Sequence, residues 1–545
     1  SPDQERVVHV TNLLAMVLLL LPIVTTFVSS GTLRRGLAAT WPLLFLTVVA
    51  GVTMLWIRFY LASHPAQAYG MLRAASVGTL DHLYFLVLQG YLVLSLAFHA
   101  RSLSWRLAYA RLRPTQVLLG AFALMISVGA VVLMLPTSTP SGSSLGFIDA
   151  LFTSTSAVCV TGLTVVDTAA DFTATGQFVL LLLFQIGGLG IMTFAALFAL
   201  LMGQGLGIKE GVMMREVMNV DVVSRISTLV PSILAITFLV ELVGAVVLFA
   251  ALPQAGVSLG VRVFNAVFHS VSGFCNAGFS LYSSGLEAFR GDAAVSLVMV
   301  VLIVIGGLGF TVHQDLLRVF VAAVRRRRER VRLRLQTKVV LLVTVVLIVA
   351  GTASFLVLNR GGISPLQAFF QSVTARTAGF HTTPQTELDE GSHFFTMVLM
   401  FIGAAPGSTG GGIKVSTVAI ILATVLAMMK GRPRTEMFRK TVPEATVRES
   451  IVVATLSVFA ISLALMVLLV TETGAFRTLL FEVVSAFGTV GLSLGKTPEL
   501  TVAGKLVVGL TMFFGRVGPM AIALSVAGRV RSVDRTYPSE RIMVG

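Results

Sequence analysis

The chain has 545 residues, of which 55% are hydrophobic and only 12% are charged. Soluble globular domains carry about 25% charged residues, so the composition excludes a soluble enzyme and indicates a membrane protein. The net charge of +15 comes from basic residues in short loops between apolar runs. This distribution is typical of membrane topology rather than of nucleic-acid binding, and no nucleic-acid partner is expected.

Apolar runs long enough to cross a bilayer occur along the whole chain. A transmembrane helix needs about 20 apolar residues. Runs of this kind lie at 10–29, 41–62, 115–135, 178–201, 228–252, 294–321, 337–358, 394–428, 450–471 and 502–528, with a weaker one at 77–98. The first run lacks the basic leader and cleavage site of a secretory signal, so it is predicted to be a true span. We expect an all-α polytopic membrane protein.

Four short glycine-centred segments recur at nearly even intervals. They are Cys159–Leu163, Cys275–Phe279, Arg376–Phe380 and Gly488–Leu492. Each follows a short amphipathic stretch and precedes a long apolar run, the order expected of a hairpin that dips into the bilayer. The amphipathic stretches predict pore helices at 145–157, 260–273, 364–375 and 475–487. Small residues at a helix contact are the commoner explanation of one such segment, but four copies in register favour a pore.

Such a pore would bind a partly dehydrated cation through backbone carbonyls. A ring of carbonyls replaces the hydration shell of the ion, and glycine permits the backbone conformations that point carbonyls inward. The C-terminal ends of the pore helices would add partial negative charge. The residues predicted to line the potassium filter are Val160, Thr161, Gly162, Asn276, Ala277, Gly278, Thr377, Ala378, Gly379, Thr489, Val490 and Gly491.

Basic residues lie between the repeats, and acidic residues lie beside the glycine segments. The segment 325–338 holds eight Lys or Arg, whereas 381–393 holds Glu387, Asp389 and Glu390 without Lys or Arg. By the positive-inside rule the inter-repeat loops and the C-terminus are cytoplasmic and the filter mouths lie outside, where their acids would attract cations. The predicted units are extra N-terminal transmembrane helices at 1–113, pore repeats at 114–207, 208–324 and 325–430, and a fourth repeat with a cytoplasmic tail at 431–545.

The apolar run at 394–428 is interrupted by glycines and a proline. Residues 403–414 read GAAPGSTGGGIK, a composition that cannot hold a straight helix. Non-helical backbone at membrane depth is tolerated where it is buried or lines a wet cavity, so the sequence predicts a gate loop in the pore below the third filter. The loop superficially resembles a phosphate-binding loop, but Ile413 separates glycine from Lys414, where that motif needs them adjacent.

With these repeats and this loop the chain resembles the membrane subunit of the Trk/Ktr/HKT superfamily of potassium transporters. The resemblance covers about residues 115–530, and the loop Ala405–Lys414 is specific to the Trk and Ktr branches. The resemblance implies a pseudotetrameric pore, a homodimer in the inner (cytoplasmic) membrane of the cell, and a cytosolic nucleotide-binding ring of RCK type that opens the gate. Nucleotide would then bind to the partner subunit only. Trk proteins have two extra N-terminal helices and Ktr proteins none, whereas three runs precede the first repeat here, so the branch stays open.

Arg516 is a charged residue inside the last apolar run. A charge at membrane depth indicates function, and Arg516 matches the arginine of the family that faces the gate loop. An ion pair with Glu241 or another buried acid is the alternative. The predicted gate residues are Gly407, Ser408, Thr409, Gly410, Gly411, Gly412, Lys414 and Arg516.

Potassium is the expected transported ion, and two alternatives stay open. All four segments carry glycine, whereas sodium-carrying members of the plant branch have serine in the first, so the resemblance implies a preference for potassium over sodium. Sodium permeation or coupling is one alternative. The other is the potassium-binding subunit of an ATP-driven pump of Kdp type, although the glycine loop with Lys414 favours a gated uptake subunit. The sequence has no HExxH-type site, and enzymatic activity is not expected.

Overall fold

The computed structural model describes residues 114–140, 145–201, 226–252, 256–324 and 332–526. Within these ranges the chain is almost entirely helical. The helices are α1 Pro114–Leu133, α2 Phe147–Val158, α3 Ala174–Leu201, α4 Ile226–Ala251, α5 Leu259–Cys275, α6 Ala293–Leu308, α7 Phe310–Val324, α8 Leu335–Leu358, α9 Pro365–Thr374, α10 Glu390–Phe401, α11 Val415–Met429, α12 Glu444–Thr471, α13 Phe476–Gly488, α14 Val502–Val517 and α15 Pro519–Val526. A small antiparallel hairpin of β1 Glu436–Met437 and β2 Lys440–Thr441 connects α11 to α12.

The described helices agree with an all-α membrane protein. Three of them contain a segment long and apolar enough to cross a bilayer, Ser232–Ala251, Leu335–Leu358 and Glu444–Thr471, and the bent pair α6 and α7 would make a fourth. On α12 the side chains of Phe459, Met466 and Val470 are 65%, 69% and 87% exposed, as expected of a surface that faces lipid. The predicted spans at 10–29, 41–62 and 77–98 lie outside the described residues.

Three elements recur four times in the same order: a first helix, a short pore helix and a second helix. The pore helices α2, α5, α9 and α13 lie within two residues of their predicted bounds. Each pore helix packs against the first helix of its own repeat, and α14, α6 and α10 pack against the pore helices α2, α9 and α13 of the neighbouring repeats. The four repeats therefore close into a ring with the C-terminal ends of the pore helices buried at its centre.

Glycines on the first helices let the pore helices approach closely. An ideal Cβ on Gly129, Gly244 or Gly351 would lie 2.3, 2.4 or 2.2 Å from a serine Oγ of the adjacent pore helix. These serines donate hydrogen bonds of 2.6 to 2.9 Å to carbonyls one turn earlier on the first helix: Ser154 to Ile126, Ser270 to Glu241 and Ser372 to Ile348. Helix association in a bilayer relies on such small-residue packing and interhelical hydrogen bonds.

The second helices of repeats two and four are also broken, which corrects the continuous spans expected at 294–321 and 502–528. Gly309, at φ +86°, separates α6 from α7 with a bend of 100°, and Gly518, at φ +92°, separates α14 from α15. The break at Gly309 has a physical cause in the next repeat, because the amide of Phe310 donates to the carbonyl of Gly407 at 3.0 Å. The interruption predicted in repeat three is present between α10 and α11.

Candidate ion pathway

The four predicted filter tripeptides share one backbone conformation. Their first residues all have positive φ: Val160 57°, Asn276 59°, Thr377 79° and Thr489 49°. Their glycines also have positive φ, between 72° and 93°, whereas the middle residues do not. Alternating handedness turns successive carbonyls toward the same side of an extended chain. Positive φ is costly for β-branched residues such as Val160 and Thr489, at roughly 1–3 kcal/mol each, so the surrounding structure must impose it.

The glycines of the four tripeptides meet at the centre of the ring. An ideal Cβ on Gly162 would lie 2.6 Å from the carbonyl oxygen of Ala277, on Gly278 3.0 Å from that of Ala378, on Gly379 2.3 Å from that of Val490, and on Gly491 2.2 Å from that of Thr161. Each glycine thus abuts the middle residue of the next repeat, and the fourth abuts the first. Carbonyls in such a closed ring can coordinate a cation in place of water.

Hydroxyl groups on the pore helices hold the filter segments from behind. Ser156 and Ser485 accept hydrogen bonds of 3.1 Å from the amides of Gly162 and Gly491. Ser272 donates to the carbonyl of Phe279 at 2.8 Å, and Thr374 donates to that of Phe380 at 2.5 Å. The sequence analysis missed these residues. A signal was available, because a serine stands six residues before the glycine in repeats one, two and four.

The loop at 403–414 lies against the N-terminal ends of three of the predicted filter segments. Thr409 donates its hydroxyl to the carbonyl of Phe274, just before the second filter, at 3.2 Å. The amide of Gly411 donates to Oγ1 of Thr489, the first residue of the fourth filter, at 3.1 Å. An ideal Cβ on Gly410 would lie 2.2 Å from Oγ1 of Thr377, so only glycine fits beside the third filter.

Further bonds fix the edges of the loop. The amides of Ala405 and Thr409 donate to the carbonyls of Gly307 and Gly306 on α6, at 3.0 and 3.3 Å. Lys414 donates from Nζ to the carbonyls of Gly410 and Gly411 at 2.7 and 3.3 Å. The Lys414 side chain therefore occupies two carbonyls of the glycine run.

Arg516 reaches the loop from α14. Its guanidinium donates to the carbonyl of Thr409 and to the carbonyls of Gly187 and Gly188 on α3, and the side chain is 3% exposed. The alternative ion pair of Arg516 with Glu241 is not found. The carboxylate of Glu241 instead accepts a hydrogen bond of 3.1 Å from the side-chain amide of Gln185. Arg516 makes no ion pair within the described residues.

Two other buried charges anchor the filters and do not face the loop. Glu482 on α13 accepts hydrogen bonds from the hydroxyls of Ser493 and Thr497, both at 2.5 Å, and so holds the segment after the fourth filter. Arg376, beside the third filter, is 4% exposed and donates to the carbonyl of Thr344 on α8 at 3.2 Å. Both interactions are those of supports behind the filter.

The segment after the third predicted filter is less acidic in its surroundings than the sequence indicates. Glu387 forms an ion pair with Arg290 at 3.0 Å, and Glu390 forms one with Arg477. In both pairs the base comes from a different repeat, so a count of charges within one loop could not show it. The predicted attraction of cations by these two carboxylates is therefore reduced by their ion pairs.

Comparison with known proteins agrees with this geometry. The family model of TrkH, a cation transport protein, matches residues 93–532. The chain is 40% identical over 448 residues to the Ktr system potassium uptake protein B of Bacillus subtilis (strain 168), with 80% of the chain and 98% of that protein covered. It is 38% identical over 451 residues to the potassium/sodium uptake protein NtpJ of Enterococcus hirae, with the same coverage.

A solved structure shows the same fold. The potassium transporter TrkH from Vibrio parahaemolyticus superposes with a TM-score of 0.65 at 19% identity, covering 88% of this chain and 98% of that one. The all-α polytopic fold expected from the sequence is therefore confirmed.

Proposed function

Because the chain belongs to the TrkH family of cation transport proteins, as its motifs indicated, we propose that it forms the pore of a potassium uptake system in the inner membrane. The family transports cations and is not a family of enzymes. The observation that carries the choice of ion path is the closed ring of Gly162, Gly278, Gly379 and Gly491 with the carbonyls of the neighbouring repeats. Potassium sheds its water more easily than sodium, and a carbonyl ring of this kind favours it.

The loop Gly403–Lys414 is the gate in this proposal. It contacts the inner ends of the second, third and fourth filters, so an ion leaving the filter would meet it next. Arg516 adds a positive charge at that point, and Lys414 adds a further hydrogen-bond donor to the loop carbonyls. The proposed closed state is held by hydrogen bonds of these groups to loop carbonyls, and opening needs the loop to leave Arg516.

A cytosolic regulator would supply the free energy for opening. A ligand shifts such an equilibrium by its differential affinity for the two states. The proposal includes a homodimer of this chain, an RCK-type nucleotide-binding ring on its cytoplasmic face, and four pore repeats at 114–207, 208–324, 325–430 and 431–545. The basic inter-repeat loops and the C-terminus would face this ring. Rates of rubidium uptake measured without the regulator, with the regulator and ATP, and with the regulator and ADP test the proposed regulation. Three equal rates would refute it.

Sodium transport or coupling is a second candidate, favoured by the similarity to a protein named for potassium and sodium uptake. Rubidium uptake into proteoliposomes that contain the purified chain distinguishes the two ions. We expect uptake that potassium suppresses and that equimolar sodium leaves nearly unchanged. Equal suppression by sodium would favour the second candidate, and no rubidium uptake by either the folded chain or its Arg516→Ala variant, in which the closed state is weakened, would refute the proposed function.

A further inference from the structure

The segments that follow the second and third filters are joined by one histidine. We name them outer segment 2, Ser280–Arg290, and outer segment 3, His381–Glu387. Nε2 of His381 lies 3.4 Å from Oε1 of Glu287, and the carbonyl of His381 accepts the amide of Leu286 at 3.0 Å. The imidazole lies on Gly285, where an ideal Cβ would be 2.7 Å from Cε1 of the ring.

The third repeat lacks the anchor that two other repeats have at this point. In repeats two and four the residue nine before the filter glycine is His269 or Glu482. These side chains contact the serine two residues after the glycine, Ser280 at 3.1 Å and Ser493 at 2.5 Å. In the third repeat, Phe370 stands nine residues before the filter glycine and His381 stands two residues after it. Because Phe370 is apolar, it cannot serve as the hydrogen-bond partner of His381 that its counterparts provide in repeats two and four.

Farther along outer segment 3, Gln385 is held by Gln371 of its own pore helix through two hydrogen bonds of 2.9 and 3.1 Å, whereas the side chain of His381 finds its partner in the neighbouring repeat. His381 stands only two residues after Gly379. Its ring contacts Glu287. Another side-chain link between the two outer segments, the ion pair of Arg290 with Glu387 at 3.0 Å, lies farther along both segments from the filters. Of these two side-chain links, the one made by His381 lies within two residues of the filter glycine Gly379.

We propose that His381 is a positioning residue for ion selectivity, which fixes the outer end of the third filter against outer segment 2 through Glu287. The inference rests on the proposed potassium path. Side chains of His381 and Glu287 are 34% and 31% exposed, so the pair contributes little to global stability. Its effect is local, because the amide of Leu286 and the side chain of Gln371 still hold outer segment 3 when the pair is broken, and only the residues next to Gly379 gain freedom.

The test compares substitutions at both ends of this link. In proteoliposomes, His381→Leu and Glu287→Ala should each lower the preference for rubidium over sodium by about two- to fivefold, the change that corresponds to one partly exposed hydrogen bond. The half-saturating rubidium concentration should rise, while the maximal rate at saturating rubidium stays unchanged. The double variant should be no worse than either single one, since both remove the same interaction. His381→Gln retains an N–H donor and should restore most of the preference.

Arg290→Ala is the matched control, because it breaks the other link between the same two segments. It should leave the rubidium preference at the wild-type value. If Arg290→Ala lowers the preference as much as His381→Leu does, or if His381→Leu does not change it, the inference is wrong while the potassium path stands. If neither the wild-type chain nor its Arg516→Ala variant shows rubidium uptake, the proposed function itself fails.

Discussion

Replacing Arg516 by alanine removes the guanidinium that joins α14 to the gate loop. Of its three carbonyl acceptors, only Thr409 belongs to the loop. A hydrogen bond that involves a charged group contributes about 1.5–3 kcal/mol, and about 1.4 kcal/mol is a tenfold change in an equilibrium constant. The equilibrium constant between the closed and open states should therefore shift toward the open state by roughly ten- to hundredfold. Basal flux should rise until the open state dominates.

The assay is rubidium uptake without regulator, at matched amounts of reconstituted protein. Arg376→Ala is the control, because Arg376 is also a buried arginine that donates to a carbonyl, that of Thr344, but does not touch the loop. The control should reduce stability without raising basal flux per folded protein. Arg516→Lys should lie between wild type and Arg516→Ala, since lysine keeps the charge but loses the planar donor geometry. Basal flux at or below the wild-type level in Arg516→Ala would refute the proposal that Arg516 holds the gate loop closed.

Two other predictions concern the loop and the helix contacts. Deleting Gly410–Gly412 should raise basal rubidium flux and leave the potassium preference intact; a loop that only kinks a helix for packing would instead give lost expression or lost flux. Gly129→Ala should destabilise the protein in detergent by about 1–3 kcal/mol through overpacking against Ser154, whereas Gly120→Ala, with nothing within 4 Å of its ideal Cβ, should be neutral or stabilising. Equal melting temperatures for these two variants would contradict the packing described for α1 and α2.

Much of the fold follows from local sequence, because pore helices and spans are set by hydrophobic patterning and length. The break in repeat three was also predicted from the sequence, because Gly403–Lys414 contains too many glycines for a helix. The bend at Gly309 was not predicted, although Gly306 and Gly307 precede it, because a few glycines inside an apolar run are compatible with a helix, and Gly306 and Gly307 do lie within α6. That bend depends on Phe310 finding an acceptor in Gly407, a contact between residues almost a hundred positions apart.

The candidate site was predictable in its residues and less so in its conformation. The filter glycines indicated positive φ at their own positions. The positive φ of Val160 and Thr489 opposes the conformational preference of β-branched residues and is imposed by the assembled ring. The pairing of Glu387 and Glu390 with arginines of other repeats likewise required the assembled structure. That Arg516 holds the gate loop closed stays a prediction, although its hydrogen bond to the carbonyl of Thr409 is present.

The ratio of potassium to sodium transport in Gly162→Ser tests the filter most directly. Gly162 has φ +89°, and its ideal Cβ would lie 2.6 Å from the carbonyl oxygen of Ala277, so a side chain there must displace the carbonyl ring. Gly361→Ser is the matched control, with φ +83° but nothing within 4 Å, and it carries the same backbone strain away from the ring. The account predicts a reduced potassium preference in Gly162→Ser and a wild-type preference in Gly361→Ser. An unchanged ratio in Gly162→Ser, in protein that is folded and transports rubidium, would contradict the assignment of these four segments as the ion filter.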